Sequence, residues 1–282
     1  MSIFEALILG IIQGLTEFLP ISSTGHLTLA GRLMDLISET EPERWTAFIA
    51  VIQMGTLVAV LIYFFKDLFG ISTDFVKDNL SNRKRFSEQS FNSKMGWYII
   101  IGTIPVVVIG LIFKDFIEGA FTKNLYVISF SLIILGILLS AAERLGSFKK
   151  DINNLKWYDS LIVGIAQAVS LIPGSSRSGT TITAGLFLGF TRETAARFSF
   201  LLSIPAVLAS GLLQFYEAID FLDWSMSINL MAATLSAAFS GYLAIDFLLK
   251  FLRRNSTYVF VFYRIVLGLI ILGLIWFNYI NP

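Results

Sequence analysis

Cysteine is absent from the 282 residues, which excludes disulfides, thiolate metal sites and thiol redox chemistry. Charge is scarce: Asp, Glu, Lys and Arg make up 15% of the chain, against about a quarter in a soluble domain. That scarcity excludes an ordinary soluble fold. The formal net charge is +1, so no electrostatic pull toward nucleic acid exists and no nucleic-acid partner is expected. Histidine occurs once, at His26. No Lys or Arg precedes Arg32. The basic region of a cleavable signal peptide is therefore missing, and the apolar N-terminal stretch is expected to stay in the mature protein. What the chain has instead is apolar surface: 55% hydrophobic residues, 26 Phe and a mean hydropathy of +0.74. These values predict an integral membrane protein, one domain over 1–282, with its Phe side chains facing lipid.

Apolar runs long enough to cross a bilayer, roughly 17–25 residues, lie at about 46–65, 96–113, 125–142, 198–216, 228–249 and 257–279. The segments at about 3–34 and 158–190 read differently. Each is two short apolar stretches around a polar break, Gln13 to His26 in the first and Gln167 to Thr180 in the second. Laid side by side without gaps, Gln13 meets Gln167, Ser22 meets Ser176 and Gly25 meets Gly179. Neither half is long enough to cross comfortably, so both segments are predicted to be re-entrant helix pairs. The likeness continues downstream. Gly110 and Leu125-Tyr126-Val127…Gly136 resemble Gly241 and Thr257-Tyr258-Val259…Gly268, at offsets of 131 and 132. The fold class that follows is an all-α polytopic membrane protein with about six full transmembrane helices and two re-entrant helix pairs, in repeats 1–145 and 155–282. Three spans per repeat is an odd number, so the second repeat is inverted and the two breaks enter from opposite faces.

Charge placement agrees with that topology. Fifteen basic residues fall on one side: Lys66, Lys77, Arg83, Lys84, Arg85, Lys94, Arg144, Lys149, Lys150, Lys156, Arg192, Arg197, Lys250, Arg253 and Arg254. The other linkers hold Arg32, Arg44, Lys114 and Lys123, while 217–227 carries Glu217, Asp220 and Asp223. Positive charge marks the cytoplasmic side and places both termini outside.

The breaks carry the chemistry. Gln13 and Glu17 are four apart and share a helix face. Pro20 stops that half-helix, Ser22, Ser23, Thr24 and Gly25 form the break, and His26 opens the next half-helix. In the second run Pro173 and Gly174 end a half-helix, and Ser175, Ser176, Arg177 and Ser178 precede a new one. Free N–H groups at that helix start, hydroxyl donors and a bidentate guanidinium suit a phosphate. Glu17 can hold a divalent cation or polarise a nucleophile. His26 can move a proton near neutral pH, and Ser23 is a candidate nucleophile. Ser and Gly at breaks are as often caps, so Ser22, Thr24, Ser175 and Ser178 are read both ways. Glu17 and Arg177 also admit a structural ion pair, but the cost of an intramembrane charge favours function. Arg264 and Asp246 are read as a packing pair inside the spans, and Gln53 as a cavity wall.

Gly14-Leu15-Thr16-Glu17-Phe18-Leu19-Pro20-Ile21-Ser22-Ser23-Thr24-Gly25-His26 and Pro173-Gly174-Ser175-Ser176-Arg177-Ser178-Gly179 closely resemble the two motifs of the bacitracin-resistance type undecaprenyl-diphosphate phosphatases. Phe198-Ser199-Phe200-Leu201-Leu202-Ser203-Ile204-Pro205 fits the same family. The resemblance covers nearly the whole chain. It implies a bacterial inner-membrane hydrolase that removes the terminal phosphate of undecaprenyl diphosphate, regenerating the carrier lipid for cell-wall synthesis and conferring bacitracin resistance. It also implies dependence on Mg2+ or Ca2+ and a site opening toward the outer face. By motif position it assigns Glu17, Ser23, His26, Ser176, Arg177 and Thr181 to the site. Gln13 falls where the family carries Glu or Gln and here offers a carbonyl oxygen, so Glu17 and Gln13 are the expected metal ligands. With these, Ser22, Thr24, Gly174, Ser175, Ser178 and Gln53 complete the expected substrate-binding set. The attacking group is left open between Ser23, His26 and water, and a homodimer is left open too. The rival function is a transporter or flippase of an isoprenyl phosphate lipid, since inverted repeats and broken helices are also its architecture. Transport needs no nucleophile with an acid/base partner, which is what separates the two.

Overall fold

The computed structural model describes residues 1–37, 42–113, 124–218 and 224–281. Lys114, Lys123, Asp220 and Asp223 lie outside them, as do the side chains of Arg44 and Glu217. The described residues form eleven α-helices and no sheet: α1 (Ile3–Phe18), α2 (Ser23–Leu33), α3 (Pro42–Tyr63), α4 (Phe65–Val76), α5 (Phe91–Ile112), α6 (Leu125–Leu145), α7 (Trp157–Val169), α8 (Arg177–Phe187), α9 (Arg192–Ala218), α10 (Trp224–Leu252) and α11 (Tyr258–Trp276). Five helices, α5, α6, α9, α10 and α11, are long and apolar enough to span a membrane alone. α3 counts as a sixth only with α4, from which it is bent by 75°. The all-helical membrane class therefore stands. Beyond the bend, the charged linker is ordered: Asp78 takes Lys84 Nζ at 2.7 Å and the Ser90 N–H at 2.8 Å.

Both predicted breaks are breaks. α1 starts on a capping box, with Ser2 Oγ accepting from the Glu5 N–H and Glu5 Oε2 from the Ser2 N–H, which satisfies two orphan donors of the helix start. It ends because Leu19 precedes Pro20 and is forced to extended backbone, φ −67° and ψ 140°. α7 ends earlier relative to its proline, at Val169: Ser170 keeps helical backbone, φ −68° and ψ −10°, and turns lead on to Pro173. The helices after the breaks share one unusual cap. Ser22 has φ 75° and ψ 99°, and its Oγ accepts from the Gly25 N–H; Ser176 has φ 67° and ψ 113°, and its Oγ accepts from the Gly179 N–H. A left-handed backbone at a non-glycine residue costs on the order of 1–3 kcal/mol, and here it occurs at both aligned serines.

The helix crossings echo each other at the same offsets. Gly10 of α1 lies on the Ala233 carbonyl of α10, and Gly164 of α7 lies on the Gly102 carbonyl of α5. Where α6 meets α11, Gly136 rests on Val261 and Ile265, while Gly268 rests on Ser129 and Ile133. Missing side chains let these backbones approach, which replaces a hydrophobic drive that lipid does not supply. Gly110 and Gly241 do not echo: a Cβ on Gly110 meets open space, whereas one on Gly241 meets Phe18, Ala59 and Thr56.

One expected contact is corrected. Arg264 does not pair with Asp246. Asp246 bonds Lys250 Nζ at 2.7 Å and the Tyr63 hydroxyl at 3.3 Å near the end of α10. Arg264 instead points into the breaks, whose main-chain carbonyls, released from helical bonding, offer a denser set of acceptors than one carboxylate.

Candidate active site

The end of α1 and the start of α8 bring Glu17 and Arg177 together. Glu17 Oε1 accepts from Arg177 Nη2. Its Oε2 accepts from Ser23 Oγ at 2.6 Å and from Gln13 Nε2 at 2.9 Å. The carboxylate is thus held by one guanidinium, one hydroxyl and one amide, drawn from both breaks. Ser178 locks the arrangement from below, its Oγ donating to Leu19 O at 3.0 Å and Glu17 O at 3.3 Å. Thr181 steadies Arg177, donating to its carbonyl at 2.7 Å while sharing a 2.6 Å bond with Ser199 Oγ.

These groups open on a cavity of about 390 Å³, within the range of small-ligand sites. Glu17, Ser22, Ser23, Thr24, Gln53, Gly174, Ser175, Ser176 and Arg177 line it. Gln13, Ser178 and Thr181 do not; they support the residues that do. The Ser175 hydroxyl is buried in the wall without a hydrogen-bond partner. Gly179 N–H is taken by Ser176 Oγ at 3.1 Å, so the N–H groups of Arg177 and Ser178 remain the orphan donors of the α8 start.

His26 turns away from this cavity. Its Nδ1 bonds the Ser22 carbonyl at 2.7 Å, and its Nε2 bonds the Tyr263 hydroxyl at 2.6 Å, with the two rings stacked 5.5 Å apart. A carbonyl only accepts, so Nδ1 carries the proton and, in the neutral ring, Nε2 accepts from Tyr263. The structure therefore groups Glu17, Ser23 and Arg177, and sets His26 behind the Ser22 backbone.

The rest of the wall was not read from the sequence. Trp45 and Ile49 of α3 lie on the face of Gln53. Val106, Val107, Gly110 and Leu111 of α5 oppose Ala206, Ala209, Ser210 and Leu213 of α9. Pro105 and Pro205 lie inside α5 and α9, one residue before each patch. A proline inside a helix removes a hydrogen bond and bends it, and this pair was the available signal for a cavity wall.

The expected cation ligands lie side by side. Gln13 Oε1 is buried, 0% exposed, and has no hydrogen-bond partner. The amide presents Nε2 to Glu17, and turned end for end it would set Oε1 beside the carboxylate on one hard cation that would draw its other ligands from phosphate and water. Among the described residues no group of three or more His, Cys, Asp or Glu forms a self-sufficient cage.

Gly174 carries a testable strain. Its φ is +83°, and a Cβ there would overlap the backbone of Ile128 on α6. Gly174→Ala is expected to cost about 2–4 kcal/mol, from the left-handed backbone and overpacking together. Thermal unfolding in detergent would read this as a lowered Tm; an unchanged Tm would refute it.

A family profile described as "Bacitracin resistance protein BacA" matches residues 6–270. Among curated relatives, a protein of Syntrophobacter fumaroxidans named undecaprenyl-diphosphatase is 61% identical over 268 residues, 95% of each chain. One of Prosthecochloris aestuarii with the same name is 51% identical over 98% of each chain. One of Chlorobium phaeobacteroides, also so named, is 50% identical over the full length of both.

Proposed function

The chain belongs to the bacitracin resistance protein BacA family, and from that premise we infer that it is an undecaprenyl-diphosphatase, a membrane hydrolase that removes the terminal phosphate of undecaprenyl diphosphate. The observation that carries the chemistry is Ser23 Oγ bonded to Glu17 Oε2 at 2.6 Å, with Arg177 on the other carboxylate oxygen. That is a nucleophile with its base, and a cation ready to leave the base for an incoming phosphate. A flippase needs none of this, and the transport reading is not favoured.

The proposed reaction has two steps. Arg177 and the α8 N-terminus bind the diphosphate, drawing the guanidinium off Glu17. Ser23 Oγ forms a bond to the terminal phosphorus while its proton passes to Glu17, and the bridging P–O bond breaks to release undecaprenyl phosphate. Water then adds to the phosphoserine phosphorus. Ser23 recovers its proton from Glu17, and inorganic phosphate leaves with both water protons. Glu17 and Gln13 Oε1 would hold Mg2+ or Ca2+, which supplies positive charge against the diphosphate. His26, committed to Ser22 and Tyr263, holds the break in shape, and we assign the acid/base role to Glu17 in its place. The isoprenoid tail leaves the cavity between α5 and α9, over Gly110 and Ala209.

The two breaks are proposed as re-entrant tips of an inverted repeat, entering from opposite faces. The equal caps at Ser22 and Ser176 and the paired glycine crossings support that reading. So does the one-sided basic charge, and with the family resemblance it supports a site opening toward the outer face of the bacterial inner membrane.

Purified protein in detergent, where no vectorial transport is possible, is expected to release phosphate from undecaprenyl diphosphate. Acid quenching in the steady state followed by peptide mass spectrometry is expected to find phosphate on Ser23. Absence of phosphoserine together with inversion of configuration at the transferred phosphorus, where two displacements would retain it, would replace Ser23 by water as the attacking group.

A further inference from the structure

Arg264 is the largest fully buried side chain among the described residues, 0% exposed in α11. Its guanidinium reaches three separate segments. Nη1 donates to Pro20 O in the first break at 3.2 Å. Nη2 donates to Ser175 O at 2.9 Å and Gly174 O at 3.5 Å in the second break, and to Ser131 O of α6 at 3.4 Å. Nε donates to Leu132 O of α6 at 3.3 Å. No carboxylate among the described residues pairs with it. A cation buried in a membrane without a counter-ion is costly, and for packing alone a hydrophobic residue of similar volume serves as well or better. The guanidinium does what an apolar side chain cannot: it joins the main chains of both breaks to one helix. The neighbouring Gly179 leaves room for Nη1, which a Cβ there would strike.

The reacting groups ride on the segments that Arg264 grips. Ser23 follows Pro20 by three residues, and Arg177 follows Ser175 by two. Their separation is therefore set through main-chain carbonyls bonded to one side chain. The charge has a second consequence. Glu17 and Arg177 cancel, so Arg264 leaves the site with a formal +1, the sign that suits a diphosphate. At the offset of 132 that pairs α6 with α11, the counterpart of Arg264 is Leu132, so this cation is supplied once.

We propose that Arg264 is a positioning residue for the phosphatase reaction, holding Ser23 and Arg177 in register, and that its unpaired charge strengthens diphosphate binding. This rests on the function proposed above. Arg264→Lys keeps the charge but loses the fork; Arg264→Gln keeps two donors and loses the charge. Rates are taken per folded protein, from size exclusion and thermal unfolding in detergent, and binding is measured with inorganic diphosphate as a competitor. Arg264→Lys is expected to lower kcat by about 10²-fold, the scale of a misplaced reacting group, and to leave the inhibition constant within about threefold. Arg264→Gln is expected to lower kcat at least as far and to weaken the inhibition constant by about tenfold, the order of one charge several Å away at an effective dielectric of about 20. Wild-type kcat in folded Arg264→Lys would overturn the positioning role. Wild-type diphosphate affinity in Arg264→Gln would overturn the charge role. If the unsubstituted chain releases no phosphate, the phosphatase reading fails first, and the two failures are told apart by that control.

Discussion

Replacing Arg177 by alanine is expected to lower kcat for undecaprenyl diphosphate by about 10³-fold, equivalent to about 4 kcal/mol of transition-state stabilisation. Two losses combine. The departing and transferring phosphates lose a forked donor aimed where charge develops, and no lysine among the described residues lines the cavity to take its place. Glu17 loses the cation bonded to its Oε1. With its side chain 4% exposed, a Glu17 carboxylate left without its charge partner draws in another donor, and that change spoils its hold on Ser23. Arg177→Lys tests the fork separately. It keeps the charge but presents one point donor instead of two parallel N–H groups, so about a 10²-fold loss is expected. Kinetics per folded protein decide the matter. Arg177→Ala with normal phosphate release would remove the diphosphate clamp from the mechanism.

What the sequence made legible follows from what membranes forbid. Polar and helix-breaking residues inside apolar segments had to face protein or a cavity, and so Glu17, Ser23 and Arg177 were found as candidates and do meet. The helix end before Pro20 was legible for the same local reason, whereas α7 stops at Val169, short of Pro173. What escaped were contacts set by tertiary direction. His26 sits three residues from Ser23, yet one helical turn aims it at Tyr263 on α11. Arg264 was matched to a carboxylate because charge counting sees side chains only, and its acceptors here are five main-chain carbonyls. The cavity wall on α5 and α9 is small and apolar, so it reads as lipid-facing until the two helices are placed across from each other.

The aligned positions also explain why two similar breaks make one site. At the offset of 154, Glu17 corresponds to Leu171, Ser23 to Arg177 and His26 to Thr180. The backbones repeat, caps included, but no reacting group is duplicated. A carboxylate and hydroxyl from one break need the guanidinium of the other, so neither break alone can bind and cleave a diphosphate. Ser178, which ties the start of α8 to the Leu19 carbonyl of the first break, and Arg264, which bonds the main chains of both breaks, are what this division of chemistry requires.

Ser23 and Glu17 should therefore behave as one unit. Ser23→Ala is expected to lower kcat by about 10³-fold or more, and Glu17→Gln by about 10²–10⁴-fold, the range of general acid–base assistance. If Ser23 attacks and Glu17 takes its proton, each substitution disables the same step, and the double variant should be no slower than the slower single one. Glu17→Gln also exchanges a buried ion pair for a neutral amide beside Arg177, at a cost of about 3–5 kcal/mol, so rates must be scaled to folded protein by thermal unfolding. The alternative makes an opposite prediction. If water attacks and Ser23 only binds phosphate, while Glu17 acts on the water, the two losses are independent. The double variant is then slower by the product of the single effects, on the order of 10⁵-fold or beyond. Four rate constants, for the wild type, the two single variants and the double variant on one lipid substrate, separate these outcomes, and additive losses in the logarithm of kcat would dissolve the Ser23–Glu17 pair as a catalytic unit.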